Sequence, residues 1–95
     1  MRQWGTYTVE ELAYIRLGNT MIELLKVGNP SNTLHDRWGV GYRMIAIRVV
    51  DMDHVVEYLQ RKGVGITEGP ATLGPTVKRA EIEDPDGLPI ELRQW

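Results

Sequence analysis

The chain has no cysteine and a single serine, Ser31. Without cysteine there are no disulfides, no thiolate metal ligands and no cysteine nucleophile, which fits a cytoplasmic protein. Ser31 lies outside any G-x-S-x-G context, so hydrolysis by an activated serine is excluded as well. Apolar runs are only a few residues long, so the sequence predicts neither a signal peptide nor a membrane-spanning helix. A stripe of basic residues is also lacking. The formal charge is -2, the pI is near 5.6 and acids alternate with bases, so neither nucleic acid nor a membrane surface is an expected partner. Trp4, Trp38, Trp95 and four tyrosines, with no basic stripe beside them, read as core and interface residues rather than a base-stacking platform. No glycine loop precedes a helix, since Gly63, Gly65 and Gly69 follow one, so no dinucleotide or phosphate cradle is expected.

What remains is a chain of 95 residues, 42% hydrophobic and 25% charged, of ordinary globular composition. A single domain of this size buries about 60 to 65% of its unfolded surface, and its core is correspondingly modest.

Arg2 to Val9 reads as a short strand broken by Gly5. Leu12 to Leu17 and Met21 to Val27 read as strands of a hairpin, with Gly18-Asn19 supplying residues that tolerate positive φ. Residues 28–41, rich in Gly, Asn, Pro and Ser, read as a connecting loop. Tyr42 to Val50 alternates, with Ile45, Ile47 and Val49 on one face and Met44, Ala46 and Arg48 on the other. A helix capped by Asp51 or Asp53 should follow and run to Lys62. Its apolar stripe is Met52, Val55, Val56 and Leu59, its stop is Gly63, and Glu57-Arg61 forms an i,i+4 pair on the wet side. Ile66 to Gly69 is a weak strand and residues 69–75 a loop. Val77 to Glu83 pairs with Pro89 to Gln94 through Asp84-Pro85-Asp86-Gly87. In the last strand Glu91 shares a face with Pro89, Arg93 and Trp95, and a carboxylate at the centre of a strand needs a partner or a role.

At these residues the chain resembles the vicinal oxygen chelate superfamily, which includes glyoxalases, bleomycin resistance proteins and extradiol dioxygenases. The resemblance is carried by Ile45-Ala46-Ile47 before Val50-Asp51-Met52-Asp53, by the helix ending Arg61-Lys62-Gly63-Val64, and by the DPDG turn before Ile90-Glu91-Leu92. Upstream, residues 17–25 resemble the hairpin that closes the first module of that family. The implied fold is α+β: a partial first module over residues 1–27, a connecting loop over 28–41, and a complete βαβββ module over 42–95. Such proteins carry two modules side by side. Here the opening strand and helix of the first have no residues to encode them, unless the natural chain starts earlier than Met1. A sheet cut in this way leaves backbone groups unpaired, so a homodimer, with strands shared or exchanged, is the expected partner.

The resemblance also implies a single divalent ion, held by side chains from several strands, acting as a Lewis acid on a substrate with adjacent oxygens. Glu91 matches the last ligand and Glu23 the second. Met44 stands at a histidine position, and the first ligand lies in the absent strand. Two carboxylates suit one weakly held Mg or Mn ion completed by water, but not tight Zn. His35 in the loop could complete the set, or could be a solvated loop residue, and His54 in the first helical turn reads as a surface residue. Glu91 and Glu23 could equally be structural carboxylates paired with Arg93, Arg48, Arg16 or Arg79.

Strand parity puts Arg48 and Arg79 beside Tyr14, Tyr42 and Met44, a set suited to a small anionic or aromatic ligand bound without metal. Three readings follow. The first is a homodimeric small-molecule-binding protein with a degraded metal site. The second is a metal-dependent lyase, isomerase or dioxygenase-type enzyme using Glu91 and Glu23. The third is a truncated, inactive fold that only dimerises. Arg-Gln-Trp occurs at both ends of the chain, as residues 2–4 and 93–95, and reads as coincidence.

Overall fold

A computed structural model of the chain describes residues 2–30, 40 and 44–95. It divides into two compact units, Met1–Leu34 and His35–Trp95.

The first unit is a three-stranded antiparallel sheet of β1 (Arg2–Trp4), β2 (Tyr7–Leu17) and β3 (Thr20–Val27), in that order. The β2–β3 turn falls at Gly18-Asn19 as the sequence predicts, and Gly18 adopts φ +60°. The segment before it differs from expectation. Gly5, at φ +61°, does not interrupt one strand but reverses the chain, so that Trp4 pairs with Tyr7 and Arg2 with Val9. β2 accordingly starts at Tyr7 rather than Leu12. Val9, paired with both Arg2 and Val27, is the buried apolar residue of this unit among those described.

The second unit is a four-stranded sheet under one helix. Its elements are β4 (Ile45–Arg48), α1 (Met52–Arg61), β5 (Glu68–Thr72), β6 (Lys78–Glu83) and β7 (Pro89–Gln94), with sheet order β4-β7-β6-β5. This is the βαβββ module expected from the sequence. β4 runs parallel to β7, and the other neighbours are antiparallel. The strand expected over Tyr42 to Val50 is shorter, Ile45–Arg48, with Met44, Val49 and Val50 outside it; 41–43 lie outside the described residues, as does most of the expected loop (31–39).

The helix is fixed at both ends by local chemistry. Asp51 is the N-cap, its carboxylate accepting from the His54 N–H at 3.1 Å, and Gln94 Oε1 accepts from the Met52 N–H at 2.7 Å. At the other end Gly63 (φ +83°) donates to the Gln60 carbonyl and Val64 to the Leu59 carbonyl. This double bond closes the last turn through a left-handed glycine. The Glu57–Arg61 pair forms at 3.9 Å on the exposed side. Met52 and Val56 bury against Ala80 and Leu92, with Ile47, Val49, Val55, Leu59, Ile66 and Ile82 packed around them. Each fully buried large side chain contributes about 1.5 to 3 kcal/mol.

The DPDG turn is held by its first aspartate: Asp84 Oδ1 accepts from the Asp86 N–H at 2.9 Å and the Leu88 N–H at 2.7 Å. β5 corrects a second expectation. It covers Glu68–Thr72 instead of Ile66 to Gly69, so Gly69 and Pro70 lie inside a strand that the sequence suggested had ended. Proline is tolerated because β5 is an edge, where one side of the backbone needs no ladder partner. Gly69, at φ +77°, sits so close to β6 that a Cβ would stand 2.7 Å from the Arg79 carbonyl oxygen.

Candidate functional site: a polar sheet face

In the second unit Ile47, Leu92, Ala80 and Ile82 point into the core under α1. By alternation the opposite face carries Ala46 and Arg48 from β4, Glu91 and Arg93 from β7, and Arg79 and Glu81 from β6. Register sorts these into two rows. One aligns Ala46, Glu91, Glu81 and Glu68 across the sheet, and the other aligns Arg48, Arg93 and Arg79.

Carboxylates directly opposed across strands repel. Here the next row supplies the remedy. The Arg79 guanidinium reaches three carboxylates at once: Nε donates to Glu91 Oε2 at 2.6 Å, Nη2 to Glu81 Oε2 at 2.8 Å, and Nη1 to Glu68 Oε2 at 3.3 Å. Arg93 Nε donates to the other Glu91 oxygen at 2.8 Å. Glu81 is 1% exposed, whereas the Arg93 side chain keeps 36% of its surface open. Burial pushes the Glu91 carboxyl up, but the hydrogen bonds and charges of Arg79 and Arg93 outweigh it and hold the group below the usual carboxylate range. The bonds to Glu91 and Glu81 raise the Arg79 guanidinium above its already high ordinary value, so it stays charged.

Arg48 stands at the end of its row. Its Nη2 donates to the Trp95 main-chain oxygen at 3.1 Å, and its guanidinium carbon lies 4.8 Å from the centre of the Trp95 ring.

The other residues singled out by sequence are placed as follows. Glu23 and Tyr14 are cross-strand partners in the first unit, both exposed, while Glu91 belongs to the second. Arg16 is exposed opposite Met21. Met44 is half-buried just before β4, and His54 is exposed in the first turn of α1. Tyr42 and His35 lie outside the described residues. Reading by sequence missed Glu81 and Glu68. The signal was available for Glu81: once DPDG fixes the β6–β7 register, Glu81 falls opposite Glu91.

Glu91 as placed is engaged by arginines rather than open to the divalent ion that the resemblance implies. Both Glu91 oxygens already accept guanidinium hydrogen bonds. A cation would compete with them and sit beside two positive charges. Among the described residues no group of three or more His, Asp or Glu is arranged to hold a metal.

Comparison with known proteins agrees with the fold. The sequence profile of the Glyoxalase/Bleomycin resistance protein/Dioxygenase superfamily matches residues 4–92, and the chain belongs to that superfamily. Among solved structures, a glyoxylase/bleomycin resistance protein/dioxygenase domain from Frankia sp. EAN1pec is similar at TM-score 0.68 and 21% identity, over 96% of this chain and 67% of that one. A glyoxalase family protein from Enterococcus faecalis is similar at 0.63 and 22%, over 93% and 78%. One from Bacillus cereus is similar at 0.66 and 22%, over 86% of this chain and 59% of the other, so the chain spans well under two thirds of that relative's length. At these identities the likeness is one of fold. No curated protein matches the chain. Among the described residues no helix is long and apolar enough to cross a membrane.

Proposed function

We propose that this chain is a small-molecule-binding member of the superfamily that works without a metal ion. The observation that carries the reading is the double occupation of Glu91, whose oxygens are held by Arg79 at 2.6 Å and Arg93 at 2.8 Å. A guanidinium thus sits among the carboxylates, and a metal ion of the enzymatic reading would have to compete with two arginines for Glu91. The ligand face is the polar side of the second sheet, with Arg48 and Met44 at its β4 edge. Arg79 serves there as a structural cation rather than a ligand contact.

The working form in this proposal is a homodimer. Its support is the first unit, where Tyr14, Ile15, Met21, Leu24 and Leu25 are all exposed. A three-stranded sheet with so many exposed apolar residues gains stability from a second apolar surface.

The test is to purify the chain free of metal, add back Mg, Mn, Zn, Ni or Fe(II) separately, and measure retained metal by mass spectrometry, with Glu91→Ala in parallel. Alongside, the metal-free protein is screened against small molecules by thermal shift. The expected result is no stoichiometric metal and at least one stabilising compound. A stoichiometric ion per chain or per dimer that Glu91→Ala abolishes would overturn the reading in favour of the metal-dependent enzyme.

A further inference from the structure

The row Arg48, Arg93, Arg79 places three like charges at directly opposed positions on neighbouring strands. Adjacent strands are about 4.8 Å apart, and like charges facing each other at that spacing are unfavourable unless compensated. Compensation is uneven along the row. Arg79 faces three carboxylates, Arg93 shares one of them through Nε alone, and Arg48 bonds a main-chain oxygen and an indole. Among the described residues no carboxylate side chain is paired with the two Nη groups of Arg93 or with Arg48, whose Nη2 is held by the main-chain oxygen of Trp95, the last residue of the chain.

Both side chains are nevertheless oriented. Glu91 holds Arg93 by its Nε and leaves the Nη pair outside that bond. Trp95 stacks against Arg48, and stacking occupies the face of a guanidinium while leaving its in-plane N–H groups available. Two guanidinium groups from cross-strand partners, neither paired with a carboxylate through all its N–H groups, offer planar donors of the kind a carboxylate takes.

We propose that Arg93 and Arg48 form an oxyanion receptor on this face and that the ligand is a small molecule carrying a carboxylate. This rests on the small-molecule reading above and adds the charge of the ligand and the residues that recognise it. Arg79, the most buried of the three arginines and the one engaged by three carboxylates, is excluded as the receptor.

The experiment titrates the full chain with benzoate, and in parallel with its neutral isostere benzamide, following backbone amides and arginine Nε–H resonances by NMR. Benzoate should shift the Arg93 and Arg48 resonances saturably, and benzamide should leave them in place. Arg48→Gln and Arg93→Gln should each weaken benzoate binding at least about tenfold, the loss typical of removing a charge-assisted hydrogen bond of roughly 1.5 to 3 kcal/mol. If Arg93→Gln fails to fold, Arg93→Lys replaces it. That variant keeps the charge, loses the fork, and should weaken binding by a smaller factor. Benzoate and benzamide binding alike, or benzoate binding that neither arginine variant changes, would overturn the receptor. If benzoate does not bind while the thermal-shift screen yields neutral ligands only, the receptor fails and the small-molecule reading survives. If nothing binds in either experiment, both fail.

Discussion

The two units are built on opposite economies of side chains. In the second, one sheet face is mainly apolar and covered by α1, with Lys78 and Gln94 bonding the helix at its margin, and the other is mainly charged and cross-linked. In the first, apolar residues lie on both faces of the same hairpin. Leu12, Tyr14, Met21 and Leu25 share one face, Ile15, Leu17 and Leu24 the other, and all seven are exposed. Segregation lets 61 residues, His35–Trp95, close a core by themselves. The mixed pattern instead marks a sheet suited to contact on two sides.

The comparison can be broken at several points. The largest effect should come from Arg79→Met. Removing the shared counter-ion leaves Glu81 and Glu91 facing each other, and the loss should be about 3 to 5 kcal/mol near neutral pH. Urea unfolding followed at amides of β6 and β7 measures it. The deficit should shrink as pH falls and the carboxylates take up protons. A deficit that does not change with pH would mean that the network contributes packing rather than charge.

Leu92→Ala should cost about 2 to 5 kcal/mol by opening a cavity under α1. The same truncation at Leu24, which is 48% exposed, should cost below about 0.5 kcal/mol in dilute protein. If the Leu24 loss rises with protein concentration, that hairpin face is covered in a dimer, and sedimentation will show the dissociation.

Acid should act on the second unit first. The folded pKa of Glu91 is depressed, so its contribution is complete above the ordinary carboxylate pKa and is lost as pH falls below it toward the depressed value. Glu91→Gln should flatten that part of the stability curve, and an unchanged acid limb would remove Glu91 from the account. A smaller effect is expected from Asp51→Ala, about 1 kcal/mol, seen as fraying of the first turn of α1 in hydrogen exchange.

Most of the second unit was legible because its signals are local. A capping aspartate, a 3.6-residue apolar stripe and a left-handed Gly63 define α1, and Asp84 with Gly87 define a hairpin whose register follows from the turn. Where competing local signals met, the reading failed. Gly5 reads as a strand breaker and as a turn residue alike, and only pairing between Trp4 and Tyr7 decides it. Gly69-Pro70 reads as loop, yet an edge strand accepts both. The charged face was half legible. Parity placed Glu91, Arg93, Arg79 and Arg48 together, but a glutamate in an alternating strand reads as solvated, and the bond from Arg79 that accompanies the burial of Glu81 has no local signal. Glu68 lay inside the expected strand Ile66 to Gly69, but no turn signal set the register that brings it opposite Glu81.

The sheet order β4-β7-β6-β5 has a consequence for how the unit comes into being. β7, the last element in sequence, is central, and the only described partner of β4 is β7. During synthesis α1 can form early and the β6–β7 hairpin late, and the described strand that bonds β4 is absent until Pro89–Gln94 leaves the ribosome. The sheet is therefore completed by insertion rather than by extension, and until that moment the apolar side of β4 depends on α1 for cover.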